Sequence, residues 1–582
     1  MKKRLLITVI VMILVMTMIA GCGQSKVPAT DSKGDQTTSG SDKTGDRGST
    51  KYLTGIELFK QGVSDYQYDY GQVKKWDNKL TVTFGRPMDL NAQEFQKMAE
   101  AGEPIENSRW IQYFREALNI ECVYELTNPI QADYEQQLIL GMSSNDLPDI
   151  FLVFTQSLIN QMAEAGIIHD LTNIYQANVN RTLGDLIEAE GTEIYGTAMV
   201  DGKLYAIPQK MPSTNSYNHC WVRRDWLEKF GLDLPKTMDD VKNIAKIFKE
   251  NLPDNIGLMF SNSYLYEYPG IFWAFGGQQN SSRNQWIEKG GKLVFAEIQP
   301  EMKGGLKWIR DMYASGLINP EWATEDTWAA LKNYVATNRC GIFYGPHWYG
   351  FSLQAYEQSD SMDETADWIA CGLPVGIPDL DIQIPANNVI DGWICVNSDF
   401  KTPEVAVHLL NAYTEKLFGK NNEFAKYFAS DLNSMMWKAS PIWSLSATVD
   451  LDPCDIMMKA WDSKTKTMDE SKLYGSGLTY WNYIKEGQSA YNYMFGPQDS
   501  AFVFVKKTYP QALLWNKHLT GPTKTQVERW SSMQELIDTY FLKMINGEID
   551  IDTGFDQMVA EWSKLGGDQV TREINEIYDQ FK

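Results

Sequence analysis

Leu80, Val82 and Phe84 alternate with polar neighbours, which is the period of a half-buried strand, and Gly85-Arg86-Pro87 follows as a loop. Ser108 to Leu118 takes the helical period, and Ile120 to Glu125 returns to a strand. A second helix and the turn Leu147-Pro148-Asp149 lead into a continuous apolar run, Ile150 to Phe154, expected as a buried strand. Strands that alternate with helices predict a parallel sheet, and ligands collect beyond the carboxyl ends of such strands. Thr155, Gln156 and Ser157 stand at one of those ends.

From residue 201 the pattern changes. Gly202 suits a tight turn, and Leu204 to Ile207 is a short apolar run that Pro208 is expected to end, because proline cannot donate to a ladder. A polar crossing segment follows, and the extended pattern resumes at Trp221 and Val222. Asp225 to Phe230 predicts a short helix stopped by Gly231; Pro235, Thr237, Asp239 and Asp240 then open a longer one with Val241, Ile244, Ala245 and Phe248 on one face. Further on, Tyr264 to Phe275 is dense in aromatics and includes Trp273. Gly341 to Tyr344 reads as a short buried strand, and the turn Gly345-Pro346 is expected to expose His347, Trp348 and Tyr349. Asn387, Asn388, Asp391 and Trp393 lie where a loop becomes a strand, and the chain from His518 onward reads as helical.

The amino terminus has a different character. Lys2, Lys3 and Arg4 precede the apolar run Leu5 to Ala20, the form of a secretory signal and too short for a spanning helix of roughly 20 residues. Residues 23 to 50 hold almost no large apolar side chain and are expected to form a disordered tether.

Composition narrows the function classes. A formal net charge of -22 argues against non-specific nucleic-acid binding, which needs a basic footprint, so no nucleic-acid partner is expected. The 19 Trp, 29 Tyr and 24 Phe provide flat faces that stack on sugar rings or cations. Beyond Cys22, Cys122, Cys220, Cys340, Cys371, Cys395 and Cys454 show no CxxC spacing, and several sit in apolar runs that suit buried thiols. Neither HExxH, P-loop nor nucleophile elbow occurs. Asp550 to Glu561 partly imitates a calcium loop, but Phe555 stands where its glycine belongs, so a helix cap is expected there and no metal or cofactor site.

The phrases LPDI, AEAGIIHDLT, DGKLYAIP and WVRRDWLEKFGLDLPKT, in this order along the chain, resemble the family 1 extracellular solute-binding proteins, the sugar receptors of bacterial ABC importers. The strand, turn and Trp348 are similar to those of maltose-binding protein, where the turn's aromatic stacks on sugar. The resemblance implies an α/β fold of two hinge-linked lobes, the type II periplasmic-binding-protein-like fold, with a ligand cleft between them. It implies a signal peptide over 1–21 and a tether over 22–50. The amino-terminal lobe is expected from 51–210 and 388–435, and the carboxy-terminal lobe from 211–387 and 436–582, with the aromatic-rich stretch near 436–500 as an elaboration. Ile19-Ala20-Gly21-Cys22 resembles a lipobox, which makes Cys22 the lipidated residue and places the protein on the outer face of a cell membrane, as in a Gram-positive organism. The expected ligand is an oligosaccharide touched by Trp348, Trp393, Gln156, Asp391, Asn388, Trp273, Arg86 and Tyr217. The expected partners are ABC permease subunits, the chain itself a monomer and not an enzyme. A membrane-anchored carbohydrate hydrolase using paired carboxylates is the alternative.

Overall fold

The computed structural model describes residues 68–579 apart from 190–191, 267–268, 360, 364, 387–389, 429–434 and 519–521. The expected signal segment, Cys22 and the tether lie outside the described residues, as does Asn388. Among the described residues no helix is long and apolar enough to cross a membrane.

The two larger sheets are built, in chain order, from β1 (Leu80–Pro87), β2 (Ile120–Asn128), β3 (Ile150–Val153), β4 (Ile207–Lys210), β5 (His219–Arg223), β6 (Ile342–Gly345), β7 (Trp368–Cys371) and β8 (Ile390–Val396). The first sheet has the order β2-β1-β3-β8-β4 and the second β6-β5-β7. β1 runs parallel to β2 and β3, as strand-helix alternation predicts. β8 reaches the sheet from far along the chain and runs antiparallel to both neighbours, with Trp393 opposite Val153 and Ile390 opposite Lys210. One edge of the first sheet therefore gathers the carboxyl ends of β1, β3 and β4 and the amino end of β8.

Two details correct the sequence reading. Arg86 and Pro87 complete β1 rather than forming a loop after Phe84. Pro208 lies inside β4 instead of ending the run before it, and β4 is the outermost strand, where a residue without an N–H is tolerated.

Local sequence explains the packing behind this edge. The helix Arg109–Leu118 buries Trp110, Ile111, Phe114 and Leu118, and Asn119 at φ 61° turns the chain directly into β2. Trp110 stacks on Tyr413 of the helix Val405–Phe418, with ring centres 4.6 Å apart. A strap over 436–445 is tied across the same lobe: Trp110 Nε1 donates to the Met436 carbonyl at 3.1 Å, Ser108 Oγ to that of Ala439 at 3.2 Å, and the Leu445 amide to that of Lys210 at 3.0 Å. The strap is thus tied to the elements around the first sheet.

In the second lobe β5 is the central strand and both neighbours run antiparallel to it. Trp221 stacks on Phe343 at 5.9 Å and 6° between planes. The helix Met238–Asn251 starts with a capping box between Thr237 and Asp240 and buries Val241, Ile244, Ala245 and Phe248. The helices Leu451–Ala460, Gly475–Lys485, Ser489–Phe495 and Ala501–Thr508 pack on one another, and the last two also against β7. The terminal helices Lys524–Ile545 and Ile551–Trp562 pack on the helix Met302–Ala314, and Asp568–Tyr578 on the strand Lys292–Phe295. Asp550 accepts the Thr553 amide at 3.1 Å and caps its helix, and no cluster of three or more metal-ligating side chains occurs among the described residues. The six described cysteines are free thiols.

Candidate functional site

The gathered edge of the first sheet concentrates charge. Arg86, at the end of β1, is 6% exposed and donates from Nη1 to the Ser440 carbonyl on the strap at 2.7 Å. Its guanidinium lies 6.0 Å from the Trp443 ring centre, and its Nε finds no partner in the protein. Burial pulls the Arg86 pKa below the ordinary arginine value, while Tyr124 and Asp391 act the other way. Lys438, also on the strap, is half-buried with Nζ 5.1 Å from the Trp437 ring centre. Burial lowers its pKa, and Asp391 opposes that shift. Asp391 is exposed at the start of β8, yet the protein packed around it raises its carboxyl above the usual range, against the pull of Lys438 and then Arg86.

Neighbouring residues shape this corner. Gly392 has φ +129°, and a Cβ there would lie 3.1 Å from the Phe154 ring, so glycine lets that ring close over the start of β8. Trp393 is half-buried and spends its indole N–H on Thr197 Oγ1 at 3.0 Å. Gln156 is half-buried as the first residue of the helix Gln156–Glu164, just past β3.

The crossing from β4 to β5 carries a set of groups that the sequence reading did not single out. Gln209, Ser213, Thr214, Asn218 and His219 are all at most 5% exposed. The Gln209 amide, both hydroxyls, Asn218 Oδ1 and both His219 ring nitrogens have no hydrogen-bond partner in the protein. Leaving a buried polar atom unbonded costs about 1–3 kcal/mol, so a run of them marks a surface built to bond something other than the protein. Burial pushes His219 down to about 3, which keeps its ring neutral at pH 7. The available signal was polarity itself, a stretch without large charge set between two apolar strands.

On the second lobe, Gly345 at the end of β6 pairs with His219, so the turn after β6 stands beside the strand that the crossing enters. This turn differs from its expected form. His347 and Tyr349 are 4% and 1% exposed, and only Trp348 is half-exposed. The Trp348 ring meets Tyr349 edge-on at 4.6 Å and Trp328 at 5.8 Å. Trp328, not foreseen from sequence, is 55% exposed and extends the same ring surface. Beneath the turn, His347 Nε2 lies 3.9 Å from Asp450 Oδ2. Burial pushes His347 down to about 3 and Asp450 up to about 7, so the ring is neutral near pH 7 and the contact is not an ion pair.

Two other expected contacts lie inside the packing. Trp273 is 2% exposed and its Nε1 donates to the Gln279 carbonyl at 2.8 Å. Tyr217 is fully buried, and its oxygen accepts from Thr508 Oγ1 at 3.4 Å. Both are core residues in this conformation, because an aromatic run reads alike whether it faces a cleft or a core.

Residues 92–416, more than half of the chain, match the sequence profile of the bacterial extracellular solute-binding proteins. The chain is 31% identical over 238 residues to the fructooligosaccharide ABC transporter substrate-binding protein FusA of Streptococcus pneumoniae, a match spanning 37% of this chain and 42% of that protein. It is 22% identical over 464 residues to the polygalacturonan/rhamnogalacturonan-binding protein YtcQ of Bacillus subtilis, across 77% of this chain and 84% of the other. An extracellular solute-binding protein structure from Bifidobacterium longum subsp. infantis superposes with a TM-score of 0.56 at 17% identity, over 87% of this chain and 99% of that one. That likeness shows the two-lobed type II fold.

Proposed function

The chain belongs to the bacterial extracellular solute-binding proteins, and we propose that its solute is an oligosaccharide, bound between the lobes and delivered to the permease of an ABC importer. The observation that carries this reading is the pairing of two unlike surfaces where the crossing joins the lobes. One is a buried polar run with unpartnered donors and acceptors at Gln209, Ser213, Thr214, Asn218 and His219. The other is the ring surface of Trp328 and Trp348. A sugar needs both, since stacking supplies contact area while hydrogen bonds fix which face is presented. The carbohydrate names of FusA and YtcQ point the same way.

In this reading Trp348 and Trp328 stack on sugar rings, and Arg86, Lys438, Asp391, Asn388 and Gln156 bond hydroxyl or carboxylate groups. Trp393 walls the first lobe, while Trp273 and Tyr217 hold the second lobe's shape from within. A ligand that touches both lobes stabilises the closed state by its differential affinity for that state, and closure is what the permease reads. The chain binds without making or breaking a bond, and no observation favours the hydrolase alternative. A lipid on Cys22 would hold the monomer to the outer membrane face through the tether.

A thermal-shift screen of the full chain against neutral and acidic oligosaccharides tests the proposal. A ligand at one hundred times its dissociation constant adds about 2.7 kcal/mol to stability. Stabilisation with the sugar recovered intact supports the receptor. Stabilisation with cleavage products replaces it with a hydrolase, and no stabilisation by any saccharide removes the assigned ligand class.

A further inference from the structure

A second concave site lies away from the crossing. A cavity of ≈ 260 Å³ is lined by Trp461, Trp481, Asn492, Gln498, Asp499 and Arg224, among others. Arg224 directly follows β5, whose opposite end is His219 at the crossing. Five strand residues at about 3.3 Å each put the two ends on the order of 15 Å apart. The cavity is therefore at the far end of β5 from the crossing and its polar run.

Its walls are held in place by the protein. Trp481 Nε1 donates to Glu470 Oε1 at 3.0 Å, and Lys485 Nζ grips the same carboxylate at 3.0 and 3.1 Å, which fixes the indole plane. Tyr493, also in the lining, is anchored from behind by its hydroxyl on Glu357 Oε1 at 2.8 Å. Trp461 begins the hairpin in which it pairs with Met468, and its ring centre is 6.5 Å from that of Trp481 at 65°. Its Nε1 is shielded from solvent without an acceptor in the protein. Asn492 and Gln498 are exposed at the rim, each offering a donor and an acceptor.

The charge pattern selects among ligands. The Arg224 guanidinium is already matched by Asp367 at 3.0 Å and Asp499 at 3.1 Å, one cation between two carboxylates, on a chain of net charge -22. An anion meets repulsion here and no unmatched cation. Two indoles, two amides and a spare carboxylate oxygen instead match a ring with an apolar face and a fringe of hydroxyls. The volume is below the roughly 300–1,000 Å³ of ordinary ligand pockets, which suits one ring rather than an oligomer.

We propose that this pocket is a second saccharide site, taking a single neutral hexopyranosyl unit such as the end of a chain, independently of the cleft between the lobes. It gives the receptor a foothold on a glycan from a surface that closure of the lobes does not cover.

The test is saturation-transfer NMR on the full chain with methyl glucoside, methyl galactoside and methyl mannoside as probes and glucuronate as the acidic comparison. The variants are Trp481→Ala, Asn492→Leu and, in the cleft, Trp348→Ala. Single-ring affinities are expected in the millimolar range. Stacking of this kind makes Trp481→Ala weaken binding of the preferred hexoside about fivefold or more. Asn492→Leu, at an exposed position, checks the site without disturbing the core and decides the matter should Trp481→Ala unfold the bundle. Weakening in these two with Trp348→Ala unchanged supports the second site. Binding lost in Trp348→Ala and kept in the other two places the sugar in the cleft, which overturns the second site and leaves the proposed function standing. Absence of binding by all three hexosides overturns it too, and equal binding of glucuronate overturns the neutral assignment.

Discussion

In the proposed cleft the first-lobe side carries charge, with Arg86 buried, Lys438 half-buried and Asp391 exposed, whereas the second-lobe side carries rings, Trp328 and Trp348. The charges come from three distant stretches of chain, and Asp391 opposes the shifts of both Arg86 and Lys438 as they oppose its own. The rings come from one turn and one short helix and rest on a floor made by the neutral His347 ring and the Asp450 carboxyl. The polar side thus depends on long-range assembly, while the aromatic side is local. Exposure follows the same division, with Arg86 at 6% and Trp328 at 55%.

The largest expected effect lies beneath the rings. The Asp450 carboxyl titrates near 7 in the folded protein and near 3.9 when unfolded, so the folded state holds more protons between those values. Its stabilising contribution is full below about pH 4 and is lost as pH rises through about 7. Asp452, raised to about 6, acts in the same direction. Denaturant unfolding should lose on the order of 3–4 kcal/mol from this group between pH 4 and 7.5. Asp450→Asn should flatten that slope, and an unchanged slope would mean that the floor is not a buried carboxyl.

On the charged side, Arg86→Met removes a donor to the Ser440 carbonyl and one of the two cations facing Asp391. Ligand affinity is expected to fall by about 1.5–3 kcal/mol, the range for hydrogen bonds to charged groups. Titration calorimetry with the sugar found in the screen measures it, and full affinity in a folded variant would take Arg86 out of the site.

Trp348→Ala should weaken binding by about 1 kcal/mol, with a melting temperature close to the parent, because the ring is half-exposed. The smallest effect is expected for Trp328→Ala, about 0.5 kcal/mol, since Trp328 borders the stack from a more exposed position. Should the Trp328 change exceed the Trp348 change, Trp328 rather than Trp348 is the main stacking ring.

Much of the scaffold was legible because its signals are local. Alternation named β1, an unbroken apolar run named β3, and Thr237 with Asp240 marked the start of the helix Met238–Asn251. The turn bearing Trp348 was readable from a strand ending in Gly345-Pro346, although the fate of its neighbours was not. Lys438 and Trp328 went unseen, since nothing beside Lys438 in the chain points to Asp391, and Trp328 lies within an ordinary short helix. Trp273 and Trp348 show the limit most directly: both follow glycine- and aromatic-rich stretches, but the first is buried on the Gln279 carbonyl and the second stays half-exposed beside Tyr349 and Trp328.

By itself the sequence determined the order and type of most strands and helices, the acidic charge that argues against non-specific nucleic-acid binding, and the polar segment between β4 and β5. These depend on periods of two and 3.6 residues, on proline and glycine geometry and on composition, all of which are local or additive. Only the tertiary structure decided the antiparallel entry of β8, the strap that brings Lys438 to Arg86 and Asp391, and which rings face outward. Those outcomes rest on contacts between residues tens to hundreds of positions apart, and on the burial that such contacts create. Burial sets both the protonation of a charge and the availability of a ring, and neither is a property of the residue alone.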